Sequence, residues 1–225
     1  MRWIFSFSLL VLPTAATAQD NDAEKLYRSF QKKLTEAKAF KVAFEINVPK
    51  SLQYKGDLTM AAGNKLRISG TGTQDTKPDS WTIVSNGEKI GLKHDKEGRK
   101  RAPEFAATPE KLTAYFTGHL LKGGVLLATQ DLSLRRLAEN SPDDVVLGGF
   151  KISGKEKIGD RETQVLEYTA QYKSGKLTCK LWLDITTNMP LKRVVGGDRE
   201  FRSEELYANW ELNPKLKDDE FTLPK

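Results

Sequence analysis

The chain has 225 residues, 38% of them hydrophobic and 29% charged, with 36 Lys and Arg against 30 Asp and Glu, a formal charge of +6. Its apolar residues are numerous and regularly spaced enough to bury a core, which excludes wholesale disorder, and no apolar run reaches the ~18 residues of a membrane-spanning helix. Two histidines, His94 and His119, and one cysteine, Cys179, exclude zinc fingers, iron–sulfur sites, disulfide scaffolds and most histidine-based catalysis.

Residues 1–18 read as a signal peptide. Arg2 gives the positive start, Trp3 to Leu12 the apolar stretch, Pro13 its end, and Ala16-Thr17-Ala18 the small-x-small pattern of signal peptidase, with cleavage expected before Gln19. A buried N-terminal helix fits these flanks less well. No cysteine follows the stretch, so the expectation is an exported, soluble protein without a lipid anchor. Its lone Cys179 should be buried and unpaired in that oxidising compartment.

The remaining 19–225 read as one domain. Asn21 to Lys38 predicts an amphipathic helix, with Ala23, Leu26, Tyr27, Phe30, Leu34 and Ala37 repeating at three- and four-residue steps and an Asn21–Glu24 capping box. The period then changes to two: Phe40, Val42, Phe44 and Ile46, then Leu52, Tyr54, Leu58 and Met60, then Leu66 and Ile68 predict three strands with one apolar face. Ala62-Gly63-Asn64 turns the chain, a polar loop runs through Asp75 and Pro78, and Asn86-Gly87 marks a hairpin between two further strands. His94 to Arg101 reads as an exposed charged loop. Thr108-Pro109-Glu110 predicts a helix start, and Val125 to Leu137 a second apolar helical piece beyond Gly123-Gly124. Strands return from Val146 to the end, with turns at Gly159-Asp160, Ser174-Gly175 and Asn188-Met189-Pro190. About ten strands joined by short turns imply an antiparallel meander, mainly β in an α+β fold. A sheet of this size curls, so the expected product is an incomplete barrel whose apolar face is covered by the N-terminal helix and the central helical segment.

A search for chemistry returns mostly negatives. Ser69 lacks the glycine a nucleophile elbow needs, and Gly70-x-Gly72 lacks a third glycine and the strand–helix context of a dinucleotide site. His94 in a solvated loop and His119 at a helix margin have no ligand-spaced partners, so no metal is expected. Asp143-Asp144 and Asp218-Asp219 would diverge on a strand, and Cys179 faces the core. No cofactor, no catalysis and no nucleic acid are expected. Lys93, Lys96, Arg99, Lys100 and Arg101 form the strongest charge feature. They read either as a solvated loop or as a basic rim for phosphate headgroups or an acidic partner. The segment 108–138 is apolar and broken by Gly118, Gly123 and Gly124, which suits a hinged lid over a lipid pocket.

The order of these parts resembles the LolA/LolB-like superfamily of periplasmic lipoprotein carriers and outer-membrane lipoprotein-sorting proteins. The carrying features are Ala39-Phe40-Lys41-Val42-Ala43-Phe44, Gly56-Asp57-Leu58 before Asn64-Lys65-Leu66, and the hairpin Ser85-Asn86-Gly87-Glu88-Lys89. The central helical segment and the closing Asp219-Glu220-Phe221-Thr222-Leu223-Pro224 complete them. The resemblance implies an unclosed half-barrel that shields acyl chains of a lipoprotein or lipid in transit, with an inner-membrane donor and an outer-membrane acceptor, and a monomer. Such carriers have a latching arginine just after the Gly-Asp-Leu strand. Here that stretch is Met60-Ala61-Ala62-Gly63, so the latch is missing or replaced.

On this reading the cavity is lined from the first sheet half by Phe44, Ile46, Leu58, Met60, Leu66 and Ile68. The second half contributes Leu181, Leu183 and Trp210, and the lid Phe116, Leu120, Leu126 and Leu127. The alternative within the same fold is an envelope-stress sensing module of the RseB type, which binds lipoprotein and a membrane partner.

Overall fold

The computed structural model describes residues 16–96, 102–130, 144–173, 175–197, 202–217 and 219–225. Outside them lie most of the expected signal peptide, Arg99, Lys100 and Arg101 of the basic run, and 131–143, where the second helical piece was expected to continue.

One helix, α1 (Ala16–Glu36), precedes five strands: β1 (Ala39–Val48), β2 (Leu52–Ala61), β3 (Lys65–Gln74), β4 (Lys77–Asn86) and β5 (Lys89–Lys96). A short β6 (Glu104–Ala107) leads into α2 (Leu112–Gly123) and α3 (Val125–Gln130). The chain then returns to the sheet as β7 (Val146–Ile158), β8 (Arg161–Tyr172), β9 (Gly175–Asp184), β10 (Pro190–Gly197) and β11 (Arg202–Leu212). All eleven strands form one sheet in the order β6-β5-β4-β3-β2-β1-β11-β10-β9-β8-β7. Every neighbouring pair is antiparallel. The first and last strands in the chain's meander meet at the centre, β1 against β11. The edges β6 and β7 never close on each other, so the sheet is an open half-barrel.

The period-two pattern sets which side is buried. Phe40, Val42, Phe44 and Ile46 on β1, Leu58 and Met60 on β2, and Leu66 and Ile68 on β3 are all nearly inaccessible. Leu166 and Tyr168 on β8, and Cys179, Leu181 and Leu183 on β9, continue the same apolar face. Two helical pieces cover it. α1 lays Tyr27 against Phe150 and Tyr168, ring centroids 5.1 and 5.2 Å away, over the β7–β8 half. α2 lies over the β2–β3 half, where Thr113 donates its backbone N–H and hydroxyl to the Asn64 amide oxygen and Thr117 contacts the Met60 sulfur.

The opposite face is crossed by the C-terminal tail. Glu220 pairs with Lys41 at 3.0 Å and accepts from Thr59, Phe221 is buried, and Pro224 packs where a Cβ on Gly91 would stand. The closing motif thus straps the sheet from β1 to β5, ending with Lys93 donating to the Lys225 carbonyl at 3.0 Å.

Several expectations need correction. The charged run from His94 was read as loop, but β5 continues to Lys96, because cross-strand pairing of Asp79 with Lys96 and Trp81 with His94 outweighs its polar composition. The helix expected from Thr108-Pro109-Glu110 starts at Leu112, preceded by Lys111 in the left-handed region. Thr108 is not its cap: its N–H donates to Glu88 and its hydroxyl lies 2.9 Å from that of Ser85, extending the β5–β6 pairing. The polar loop at 75–78 is a two-residue turn with Asp75 and Thr76 both at positive φ, and Pro78 sits inside β4. The strand β6, four residues long with little alternation to announce it, raises the count among the described residues to eleven.

Candidate functional site

The cover over the apolar face has a defined break between α2 and α3, and two buried charges hold it. Arg193 on β10 is 1% exposed and Glu205 on β11 is 0% exposed. The Arg193 guanidinium donates to the carbonyls of Leu120 at 2.5 Å and Leu121 at 3.0 Å, in the last turn of α2. The Leu120 carbonyl also accepts the Gly124 N–H at 3.1 Å, and both carbonyls lie at the negative end of the helix dipole, so a cation is the fitting cap. Two tyrosines complete that end: Tyr27 donates to Leu121 at 3.0 Å and Tyr168 to Lys122 at 3.2 Å. Across the break, the Glu205 carboxylate accepts the backbone N–H groups of Val125 at 2.9 Å and Leu126 at 2.8 Å, the first turn of α3. Tyr207 donates its hydroxyl to the same carboxylate.

Gly124 makes this arrangement possible. Its φ is 95°, and a Cβ there would fall 2.3 Å from a Glu205 oxygen. Only glycine combines that backbone with that approach. Gly124 of the glycine pair is thus a close approach for the Glu205 carboxylate, while Gly123 abuts Leu127 and Tyr172. The expected latch after the Gly-Asp-Leu strand is absent from Met60-Ala61-Ala62-Gly63, and the cation bound to the helical cover is Arg193, from the other half of the sheet.

The structure gathers the residues expected to line a cavity. Phe44, Ile46, Leu58, Met60, Leu66 and Ile68 join Leu181 and Leu183 in one apolar cluster with Phe116, Leu120 and Leu126 above them. Leu127 and Trp210 are partly buried and pack on its margin. In this closed arrangement these side chains pack against one another. An opening reaches them between α1 and α2, a cleft of about 420 Å³ floored by Leu34, Phe40, Met60 and Leu121. Of the expected lining residues, Met60 alone borders it.

The two described members of the basic rim do not converge. Lys93 and Lys96 are three positions apart on β5 and so project from opposite faces. Lys93 is held by the tail, and Lys96 reaches Gln74 at 3.4 Å on the covered side.

Composition and motif searches missed three buried polar centres. Besides the Arg193–Glu205 pair, Asp79 is buried and accepts the Tyr54 hydroxyl and a His94 ring nitrogen, the latter at 2.7 Å. His94 was expected in a solvated loop, and His119, expected at a helix margin, is buried, its ring centroid 4.5 Å from that of Tyr115. Asp184, at the end of β9, accepts the backbone N–H groups of Thr186 and Thr187, the Thr187 hydroxyl and the Arg161 guanidinium. Burial opposes its ionisation, but these donors outweigh it and hold the carboxyl below the usual carboxylate range. Parity was a signal for Asp79 and Arg193, which alternate with buried neighbours on their strands, but on β11 the apparent apolar set Leu206, Ala208, Trp210 and Leu212 points the wrong way: Leu206 and Leu212 are exposed, and Ser203, Glu205 and Tyr207 face inward. Cys179 is buried as expected, its sulfur 3.9 Å from the Lys122 carbonyl. Among the described residues no three His, Cys, Asp or Glu side chains gather as a metal site, and no helix is long and apolar enough to cross a membrane.

No family model and no curated protein matches the sequence. Solved structures are similar to it in fold. Lipoprotein LppX of Mycobacterium tuberculosis matches at 12% identity and a TM-score of 0.48, over 88% of this chain and 98% of that one. A chain of the Pseudomonas aeruginosa MucA/MucB complex matches at 13% identity and 0.41, over 90% of this chain and 61% of that one. A LolA superfamily protein from Nitrosomonas europaea matches at 14% and 0.33, over 89% and 97%. These are loose likenesses of fold alone. The observed layout, an open antiparallel sheet beneath α1 and α2–α3, is the covered half-barrel that the resemblance to the LolA/LolB-like superfamily implies.

Proposed function

We propose that this chain is a non-catalytic carrier of the bacterial periplasm that shields acyl chains of a lipoprotein or lipid between its sheet and its helical cover, in the service of outer-membrane lipoprotein sorting. One observation carries the reading: among the described residues, α1 and α2–α3 cover the apolar face of an open sheet, and these part along a cleft whose floor belongs to the apolar cluster. A sheet that is to hold its own core needs no such seam. Each methylene taken from water contributes ~0.8 kcal/mol, so a long acyl chain that displaces α2–α3 gains on the order of 10 kcal/mol gross. Against this stand the buried contacts of Arg193 and Glu205 that must break and the apolar burial of α2–α3 itself, so the net gain is a fraction of the gross figure, which keeps transfer to an acceptor feasible. Residues 1–18, read as a signal peptide, support an envelope location for this chemistry.

The test is native mass spectrometry of the protein purified from its own envelope. Co-purified diacyl lipid or lipopeptide is the expected result. Protein that is empty whenever isolated, and that binds no acyl probe, overturns the proposal. A Leu127→Asp variant puts a carboxylate under the cover and should lose the cargo while keeping the sheet's circular dichroism.

A further inference from the structure

The outer face of the sheet carries a cleft that the helical cover does not touch. It lies where β3, β2, β1 and β11 run side by side, and its volume of about 620 Å³ falls within the ~300–1,000 Å³ of small-molecule sites. Period-two alternation turns its residues outward: Glu45 and Asn47 alternate with buried Phe44 and Ile46, and Gln53 and Lys55 flank buried Tyr54. The register gathers them into two adjacent rows. Asn47 stands opposite Gln53 and Gln53 opposite Thr73; in the next row Glu45 stands opposite Lys55 and Lys55 opposite Thr71. Glu204 and Leu206 of β11 continue the two rows beyond β1. Gly72, between the two threonines, keeps the floor low among longer side chains.

What this cleft offers a ligand is neutral. Glu45 is paired with Lys55 at 2.8 Å and Glu204 with Lys192 at 2.9 Å, so each rim carboxylate already has its ammonium. Asn47, Gln53, Thr71 and Thr73 commit their side chains to no hydrogen bond among the described residues. They present two carboxamides and two hydroxyls, every one able both to donate and to accept. The backbone takes no part: β1, β2 and β3 are internal strands paired on both sides, so an extended peptide cannot add to them as a further strand. Leu206, 37% exposed, supplies one apolar contact at the margin. The complementary ligand is uncharged and rich in hydroxyls, and carries an amide with a small apolar group.

We infer that this outer cleft binds a short neutral oligosaccharide of N-acetylated hexosamine units. Its acetamido groups pair with the carboxamides of Asn47 and Gln53, its ring hydroxyls with Thr71 and Thr73, and an acetamido methyl lies on Leu206. A sugar hydroxyl donates and accepts at once, which suits side chains that do both. The site goes beyond the carrier reading and does not depend on it, because cleft and cover lie on opposite faces of the sheet. Each bond here replaces one to water, so the loss of a single partner reads as a roughly two- to tenfold change in affinity.

The test is isothermal titration calorimetry of the full chain with tri-N-acetylchitotriose, beside cellotriose, which has the same ring skeleton without the acetamido groups. Wild type should bind the acetylated sugar saturably and several-fold tighter than cellotriose. Asn47→Ala and Gln53→Ala, both at exposed positions, should each weaken it two- to tenfold, and the double variant more than either, with the thermal midpoint as in wild type. Leu206→Ser should reduce the preference for the acetylated sugar. Absence of saturable binding, cellotriose bound as tightly as tri-N-acetylchitotriose, or a double variant that binds like wild type overturns the site and leaves the carrier reading untouched.

Discussion

Arg193 and Glu205 are direct partners across the β10–β11 pairing, both buried, and each holds a different side of the α2–α3 break. Their charges cancel, and their hydrogen bonds go to the facing ends of two helices, the last carbonyls of α2 and the first N–H groups of α3. Removing one leaves the other charge uncompensated in an apolar interior. Arg193→Met should therefore cost about 3–5 kcal/mol. Glu205→Gln keeps the shape and one acceptor and should cost about 1–3 kcal/mol. The double variant should cost clearly less than the two together, because they form one unit. Urea denaturation of the three proteins checks this, and simple additivity would show that the two side chains act independently.

Cys179 offers a reporter for the same cover. Burial pushes its thiol up, an effect the Arg193 charge offsets only in part, and its sulfur lies under the end of α2. A neutral, buried thiol reacts slowly with disulfide reagents. In the native protein the reaction should be limited by opening. Weakening the cover by 1.4 kcal/mol or more, as Arg193→Met should do, is expected to speed labelling about tenfold or more while the sheet stays folded. A rate that does not move places the opening elsewhere.

Much of this fold was legible because its signals are local. Strands such as β1 and β9 alternate cleanly, and Ala62-Gly63-Asn64 and Gly159-Asp160 are turns in composition and in fact. The seat of the cover was not legible, because it depends on pairing. Arg193 lies in a strand where apolar neighbours suggest simple core, and nothing local says that its guanidinium spans to residue 120. The same limit hid β6, which exists by virtue of β5, and turned His94 from a strand residue bonded to Asp79 into a solvated one. Thr108-Pro109 carried a sound helix-start pattern that lost to a backbone bond from Thr108 to Glu88.

The β9–β10 turn should confer acid sensitivity. Asp184 ionises below the usual carboxylate range in the folded chain, so the stability it contributes is fully present above the unfolded value of ~3.9 and is lost as pH falls through the lower folded value. The half-exposed Arg161 contributes little of this, and the turn's N–H donors most. The same turn anchors α1: Lys33 donates to the Thr187 carbonyl at 2.6 Å and Asn188 to that of Leu26 at 3.2 Å. Asp184→Ala should cost about 2–3 kcal/mol at neutral pH and flatten the acid limb of a stability–pH curve. An acid limb as steep as wild type would assign it to other carboxylates.

Alkaline pH should end the fold more abruptly than acid does. Burial raises the phenols of Tyr27, Tyr168 and Tyr207, reinforced at Tyr207 by the Glu205 carboxylate, and burial together with Asp79 raises that of Tyr54. A phenol whose folded value exceeds its unfolded one keeps its proton in the native chain and loses it in the unfolded chain. Stability is therefore unaffected below the unfolded value of ~10 and falls as pH rises above it. The three phenols that hydrogen-bond around the α2–α3 break, Tyr27, Tyr168 and Tyr207, together contribute a slope of roughly 4 kcal/mol per pH unit, ~1.4 for each. A domain stabilised by ~5–15 kcal/mol withstands only a few units of this. Following tyrosinate absorbance and sheet circular dichroism together, we expect these phenols to ionise in one step that coincides with unfolding. Smooth titration near the ordinary value, with the dichroism unchanged, would mean that the break between α2 and α3 is open to water and that the bonds to Leu121, Lys122 and Glu205 do not persist in solution.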